Sequence, residues 1–257
     1  MDWLELLILS AAGLFGGVLA GLFGVGGGTV FVPALVYGAG WSIREAVAAS
    51  LVIIVFSALS GTLRSMRSEV PMDWRAAALF SLVVAPSSLI GVAVSGFFSE
   101  TLTRIVFAGF LLALAYPTAR SGKRYREGVG TGSSGSHLVF ALLGGIGAGA
   151  LAGLIGIGGA VLTVPLLIFG FGMSPKSAIS TSLVVSLLVG VVGAAGYITS
   201  GFDRLAGLPP LIVGSVIGAW PGVRLRERLP ETLLQRAFAA YMVVVAIMMI
   251  VDVANGA

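Results

Sequence analysis

A glycine-rich segment of fifteen residues occurs twice in this chain. LAGLFGVGGGTVFVP at 19–33 returns 132 positions later as LAGLIGIGGAVLTVP at 151–165, with nine identical residues. At the same offset Arg44 matches Lys176, and Ser50 matches Ser182. The sequence therefore predicts that the chain consists of two copies of one structural unit.

The composition is that of an integral membrane protein. Hydrophobic residues make up 57% of the chain and charged residues 10%, which is far from the composition of a water-soluble domain. Apolar stretches of about 17 to 25 residues, the length that spans a bilayer, are predicted at 4–23, 46–63, 76–97, 102–119, 138–155, 178–198, 207–223 and 232–251. Two shorter apolar pieces remain, at 29–39 and 160–171. We therefore predict an all-α polytopic membrane protein.

Equivalent loops of the two units carry opposite charge. The loop 64–75 contains three arginines, whereas its counterpart in the second unit contains Arg204 alone. The next loops reverse this bias, because 96–101 has no basic residue and 224–231 has three. Since short cytoplasmic loops collect Lys and Arg, equivalent loops should lie on opposite sides of the membrane, and the two repeats are predicted to be inverted.

The number of membrane crossings in each repeat is left open between three and four. An inverted pair requires an odd number, and a re-entrant hairpin formed by 29–39 and the start of 43–63 would leave three crossings. The alternative is a helix broken at the glycines. We predict a first transmembrane repeat at 1–119, a cytoplasmic linker rich in Gly and Ser at 120–136, and a second transmembrane repeat at 137–257.

The residues that catalysis requires are scarce. The chain has no cysteine and one histidine, His137, and the centres of the predicted spans contain no carboxylate. An enzyme, a metal site and a cofactor site are therefore not expected. The formal charge of +4 is explained by basic loops between spans, so nucleic acid is not an expected partner. Membrane lipid is one, and the oligomeric state, a homo-oligomer included, stays open.

The duplicated glycines predict breaks in two helices. Gly26, Gly27 and Gly28 in the first repeat and Gly158 and Gly159 in the second allow backbone conformations that other residues resist. In a bilayer, irregular backbone is tolerated only where protein or a water-filled cavity surrounds it. One interpretation is that N–H groups at these breaks face a substrate, and the alternative is close helix packing. Recurrence in both repeats favours the first.

A helix is predicted to begin shortly after each break. Ser42 and Glu45 have the spacing of a capping box, and Ser174 is followed by Pro175, which suits the first turn of a helix. Both helices then start with a basic side chain, Arg44 or Lys176.

Those helix starts are candidate anion sites. A helix N-terminus carries partial positive charge and free N–H donors, to which Arg44 and Lys176 add a full charge. Ser50 and Ser182, about two turns further on, are candidate hydroxyl ligands. The alternative is that the basic residues reach lipid headgroups while the serines pack against neighbouring helices. The symmetry of the pair favours substrate binding.

The doubled pattern GxxGxGG[G/A]-x(4)-P, within two related halves, resembles the TauE/SafE family of sulfite exporters and sulfite/sulfonate permeases. The resemblance covers essentially the whole chain. It implies transport of sulfite, thiosulfate or small organosulfonates across the plasma membrane of bacteria or archaea, usually out of the cell. Some relatives that import thiosulfate depend on cysteines, which this chain lacks.

The mechanism that we expect is export by alternating access, with two inverted halves around a midplane anion site. The carboxylates that a proton relay would require are absent from the centres of the predicted spans. An inside-negative potential supplies about 2.3 kcal/mol per charge per 100 mV, so a departing dianion gains about 4.6 kcal/mol. An anion channel and an uptake permease for thiosulfate or another small anion remain the alternatives.

Overall fold

The computed structural model describes residues 3–95, 97, 100–120, 135–156, 159–202 and 207–254. These residues form helices and connecting turns, and no strand occurs among them. The first half contains α1 (Trp3–Phe23), α2 (Gly28–Pro33) followed by a π-helical turn (Ala34–Gly38), α3 (Ile43–Ser65), α4 (Trp74–Val94) and α5 (Glu100–Arg120). The second half contains α6 (Gly135–Ile155), α7 (Ala160–Phe171), α8 (Pro175–Thr199), α9 (Pro209–Arg228) and α10 (Glu231–Ala254). The predicted all-α fold is confirmed.

Several helices have the length and apolarity of membrane spans. Within the described ranges, α1, α3, α4, α8 and α10 each contain an apolar window long enough to cross a bilayer. Large apolar side chains also lie on the outside of the bundle, including Leu82 at 73% and Leu143 at 63% exposure. Such a surface suits lipid contact, so the helices describe a multi-pass membrane protein. The predicted linker lies mostly outside the described residues.

The closest helix packing joins the two halves. α1 packs along α9, and the repeat-related pair α6 and α4 pack in the same way. Small residues make these contacts: a Cβ atom on Gly13 would stand 2.6 Å from the carbonyl oxygen of Leu211, and Gly17 and Gly153 likewise face backbone of the partner helix. Close approach at small residues is the usual way in which membrane helices associate. The two halves are thus interlocked.

α3 and α8 form an antiparallel pair at the centre. Leu51 of α3 lies against Gly190 and Gly193 of α8, whereas Gly61 lies against Leu183. The start of α3 is therefore at the same end of the molecule as the end of α8. We call this the cavity end, after the cavity described below, and the opposite end, where α3 finishes and α8 starts, the basic end. At 1.5 Å per residue, the 23 residues of α3 separate the two ends by roughly 33 Å.

Both glycine motifs interrupt the helices that contain them. Gly24, Gly26 and Gly27 have φ values of 72°, 71° and 85°, and Gly156 and Gly159 have 74° and 66°. These left-handed conformations end one helix and reverse the chain, which only glycine does at little cost. Residues 157–158, between the last two, lie outside the described residues.

The short helix after the first break returns along α1. Phe31 of α2 faces Gly16, and a Cβ atom on Gly38 would stand 3.5 Å from the Ile8 side chain. α2 and the π-helical turn also contact α3. α3 itself is one uninterrupted helix over Ile43–Ser65, and α2 packs against both α1 and α3. A re-entrant path of this segment through the membrane stays a prediction.

Candidate functional site

A cavity of about 150 Å³ lies between the two glycine breaks, on the side of the cavity end. Gly28 and Thr29, directly after the first break, line one wall, and Leu154 and Ile155, directly before the second break, line another. The polar side chains in its lining belong to Thr29, Tyr37, Arg44, Ser95, Arg104, Tyr197 and Asp252. The remaining lining is apolar and includes side chains of α2 and α10. A small polar solute fits such a site.

The charges of this cavity suit an anion. Arg104 and Asp252 approach each other to 3.9 Å, so their charges largely offset one another. Arg44 is exposed to the cavity and forms no ion pair with another described residue. It also lies in the first turn of α3, where the helix dipole adds positive potential. The cavity therefore has a net positive charge.

The capping residues hold Arg44 in that position. Ser42 Oγ accepts a hydrogen bond from the Glu45 backbone N–H at 3.3 Å, and the Glu45 carboxylate accepts one from the Ser42 N–H at 3.0 Å. The predicted capping box is confirmed. In the second half Ser174 accepts from the Ser177 N–H at 3.3 Å and Pro175 occupies the first turn, also as predicted.

The structure does not bring the two basic residues together. Arg44 lies at the cavity end, whereas Lys176 lies at the basic end, where its Nζ donates to the backbone carbonyl of Glu227 at 3.0 Å. The antiparallel packing of α3 and α8 separates them by a distance on the order of 30 Å. One anion cannot contact both residues in this conformation. Whether either binds substrate stays a prediction.

Ser50 and Ser182 make reciprocal contacts between the halves. Ser50 Oγ donates to the Gly156 carbonyl at 2.6 Å, and Ser182 Oγ contacts the Gly24 carbonyl at 3.3 Å. Each hydroxyl is fully buried and also contacts a carbonyl of its own helix. Carbonyls released by the breaks thus receive a donor, which an apolar surrounding requires. Neither serine lines the cavity, and substrate binding by them remains a prediction.

The predicted glycines differ in their access to the cavity. Gly28 lines it, whereas Gly26, Gly27 and Gly159 do not. All four are buried, and Gly158 lies outside the described residues. Thr29, beside Gly28, is hydrogen-bonded to the hydroxyl of Tyr241. The glycines therefore shape the cavity wall, and Gly28 is the one among those described that reaches it.

Sequence reasoning missed Arg226. The predicted span ended at 223 because hydropathy falls there, but α9 continues to Arg228 and the Arg226 side chain is 0% exposed. Gly218, Gly222 and Arg226 follow one another at four-residue spacing, on the helix face that packs against α1. The four-residue spacing could have predicted the burial of Arg226 from the sequence, since it places Arg226 on the same helix face as the two glycines.

The sequence analysis also did not select Ser95, Arg104, Tyr197 or Asp252. They lie near the ends of four different helices, and only the fold brings them to one cavity. A cluster of three or more side chains of the metal-ligating types is absent from the part of the chain that the structure describes.

Comparison with known proteins agrees with this architecture. The family model described as "Sulfite exporter TauE/SafE" matches residues 9–249. A Bacillus subtilis protein named "Probable membrane transporter protein YunE" is 27% identical over 88% of this chain and 90% of its own. A Haemophilus influenzae protein named "Probable membrane transporter protein" is 28% identical over 95% of this chain and 97% of its own. No solved structure is significantly similar. The duplicated glycine breaks, the multi-pass helical fold and the match over nearly all of the sequence together place this chain in the sulfite exporter TauE/SafE family.

Proposed function

We propose that this protein is a carrier that exports sulfite or a small organosulfonate across the plasma membrane of a prokaryote by alternating access. The observation that carries the proposal is the cavity between the two glycine breaks, with the uncompensated charge of Arg44 in its wall. Family membership supports transport of a sulfur-containing anion. The similar transporter proteins come from bacteria and an archaeon, which supports the cellular setting.

The composition of the cavity favours a small oxyanion over a neutral or cationic solute. Arg44 offers a planar guanidinium that binds two oxygens of one oxyanion at once. Ser95 and Tyr197 add hydroxyl groups to the same lining. The apolar part of the lining suits the alkyl group of an organosulfonate. A cation would meet an unfavourable potential at Arg44.

Two features support alternating access by inverted halves. The exchanged contacts, Ser50 with Gly156 and Ser182 with Gly24, relate the repeats to each other, as expected when one repeat faces opposite to the other. The cavity lies toward one end, whereas Arg226 fills the equivalent region at the other end. A carrier that is open on one side and closed on the other has this asymmetry.

Charge at the basic end supports the direction of the cycle. Arg64 and Glu227 form an ion pair at 3.2 Å, so the arginine-rich loops 64–75 and 224–231 lie at the same end. That end is expected to be cytoplasmic, and the cavity then faces outward. Export of a dianion along an inside-negative potential of 100 mV gains about 4.6 kcal/mol, so no further energy source is required.

The test is flux of labelled sulfite in proteoliposomes that contain the purified protein. Wild-type protein should transport sulfite or methanesulfonate in competition with other small anions. Arg44→Gln should raise KM by about tenfold or more, because a hydrogen bond to a charged group contributes about 1.5–3 kcal/mol. Arg44→Lys should have a smaller effect on KM and alter the preference among anions, since the charge stays and the planar fork is lost.

Arg75→Gln is the matched control. Arg75 is an exposed arginine in the first turn of α4, away from the cavity lining, and its loss should leave KM unchanged. Absence of sulfite and sulfonate flux in the wild-type protein would refute the proposed substrate class. Single-channel currents at rates far above carrier turnover would show that the protein is a channel rather than a carrier.

A further inference from the structure

Arg226 is buried without a counterion of its own. Its Nη1 donates to the Gly21 carbonyl at 3.3 Å and its Nη2 to Ser65 Oγ at 2.8 Å, whereas its Nε has no partner among the described residues. Both partners are neutral. A fully buried guanidinium in such surroundings is unfavourable unless an anion joins it in part of the functional cycle.

The nearby charges do not neutralise Arg226. Glu227, the next residue, carries the negative charge beside Arg226, but its Oε2 pairs with Arg64 at 3.2 Å. Its Oε1 is buried without a hydrogen-bond partner among the described residues, so one carboxylate is shared between two arginines. Lys176 is held at the same place, since its Nζ donates to the Glu227 backbone carbonyl at 3.0 Å. Two cationic side chains are therefore bound to backbone oxygens, the neutral groups that an anion would replace.

The repeat relation connects this cluster with the cavity. Gly21, Ser65 and Lys176 lie 132 positions from Gly153, Tyr197 and Arg44 respectively. At the cavity end Tyr197 donates to the Gly153 carbonyl at 3.0 Å, as Arg226 donates to the Gly21 carbonyl at the basic end. The same backbone position is thus capped at both ends, by a neutral tyrosine at one and by an arginine at the other.

The two ends differ in whether the polar cluster is accessible. Tyr197 and Arg44 line the cavity, together with Ser95, which lies beside the Tyr197 hydroxyl. Tyr197 is itself 2% exposed, much like its counterpart Ser65 at 1%. The difference lies in the cations, because Arg44 is exposed at the cavity end whereas Arg226 is 0% exposed at the basic end. The basic-end cluster therefore has the arrangement of the cavity lining in a closed form.

We propose that Arg226 and Lys176 form a second anion site, which opens at the basic end and binds the same small oxyanion when the cavity end closes. This inference rests on the proposed transport function. When the basic end opens, Arg226 exchanges the Gly21 carbonyl and Ser65 for the anion, with Nε and one terminal nitrogen donating to two oxygens. Lys176 supplies the second charge. The anion then enters the carrier from the cytoplasm through this site.

The experiment compares the two faces of the membrane. Uptake of labelled sulfite is measured in everted vesicles, which expose the basic end, and in right-side-out vesicles, which expose the cavity end. Arg226→Gln should raise KM in everted vesicles by about tenfold or more, as expected for loss of a charged hydrogen-bonding group, and change KM much less in right-side-out vesicles. Lys176→Gln should shift KM in the same direction. Arg226→Lys should shift it less than Arg226→Gln does.

Arg228→Gln is the matched control, because Arg228 is an exposed arginine in the same last turn of α9. It should leave both KM values unchanged. Equal effects of Arg226→Gln on the two faces, or no effect on either, would overturn the proposal. If Arg226→Gln fails to accumulate in the membrane, an unchanged everted-vesicle KM in both Arg226→Lys and Lys176→Gln overturns it. Wild-type vesicles without sulfite flux would instead refute the proposed function itself.

Discussion

At the scale of single residues, Ser50 separates a structural role from a substrate-binding role. Its hydroxyl lies 2.6 Å from the Gly156 carbonyl in the other half, at a break where the helix supplies no donor. Ser50→Ala leaves this buried carbonyl without that partner, which should destabilise the protein by about 1–3 kcal/mol. The measurement is the thermal unfolding temperature of the purified protein in detergent, together with KM for sulfite, which should change little.

Thr199→Ala is the control for Ser50→Ala, because Thr199 is exposed and its hydroxyl bonds only to carbonyls within its own helix. It should leave the unfolding temperature nearly unchanged. A Ser50→Ala protein with wild-type thermal stability and a strongly raised KM would contradict the structural role. Such a result would place Ser50 among the substrate ligands, as the sequence pattern predicted.

Local signals predicted some residues well and others not at all. The capping roles of Ser42, Glu45 and Ser174 were predictable because a helix cap is defined by a few neighbouring residues. The burial of Arg226 was not predicted, because a charged residue at the end of an apolar stretch normally reaches solvent. Its burial depends on the close approach of α9 to α1 that Gly222 allows, and α1 lies about 200 residues away in the sequence.

At the scale of elements, the glycine breaks should be required for transport rather than for insertion. Gly27 has φ of 85°, and a Cβ atom there would stand 2.6 Å from the Phe31 ring and 2.7 Å from the Gly16 carbonyl oxygen. Gly27→Val and Gly159→Val should each impose strain of about 1–3 kcal/mol from the backbone alone. We expect loss of sulfite flux in both variants, measured in proteoliposomes, with near-normal amounts of protein in the membrane.

Gly147→Val provides a matched control on α6. A Cβ atom on Gly147 meets nothing within 4 Å, and its backbone is helical without positive φ. The sulfite flux of Gly147→Val should resemble that of the wild type, since a substitution at an exposed helical site changes the free energy of the helix by less than about 1 kcal/mol through helix propensity. Wild-type flux in Gly27→Val and Gly159→Val would reduce the glycine motifs to packing sites that tolerate a larger side chain.

Element positions followed the hydropathy pattern closely, and element ends did not. The apolar stretch predicted at 46–63, for example, lies inside α3 at 43–65; the capping box of Ser42 and Glu45 predicted the start of the helix, and the helix runs past the stretch through Arg64. The π-helical turn at Ala34–Gly38 had no sequence signal that we recognised. Its fold against α1 depends on the close contact of Phe31 with Gly16, which is a tertiary contact.

At the scale of the whole molecule, the pairing of helices could not be derived from the sequence. Duplication and composition predicted two related sets of membrane helices, but not that α1 would pack on α9 and α4 on α6. Without a hydrophobic drive between helices in lipid, partner choice depends on which small-residue faces fit together. Glycines are abundant on several helices of this chain, so the sequence leaves many pairings open.

The arrangement of the two halves across the membrane gives the last prediction. Arg67 follows α3, and Ser200 follows α8 at nearly the equivalent position of the second repeat; both are exposed. In inverted repeats these positions lie on opposite faces. The chain contains no cysteine, so Arg67→Cys, Arg228→Cys and Ser200→Cys each introduce one unique thiol for a membrane-impermeant maleimide. Arg67→Cys and Arg228→Cys should react in everted vesicles, because the ion pair of Arg64 with Glu227 places both loops at the basic end. Ser200→Cys should react in right-side-out vesicles, because α8 ends at the cavity end. Labelling of Arg67→Cys and Ser200→Cys from the same face would rule out inverted repeats, and with them the alternating exposure of the two cationic sites.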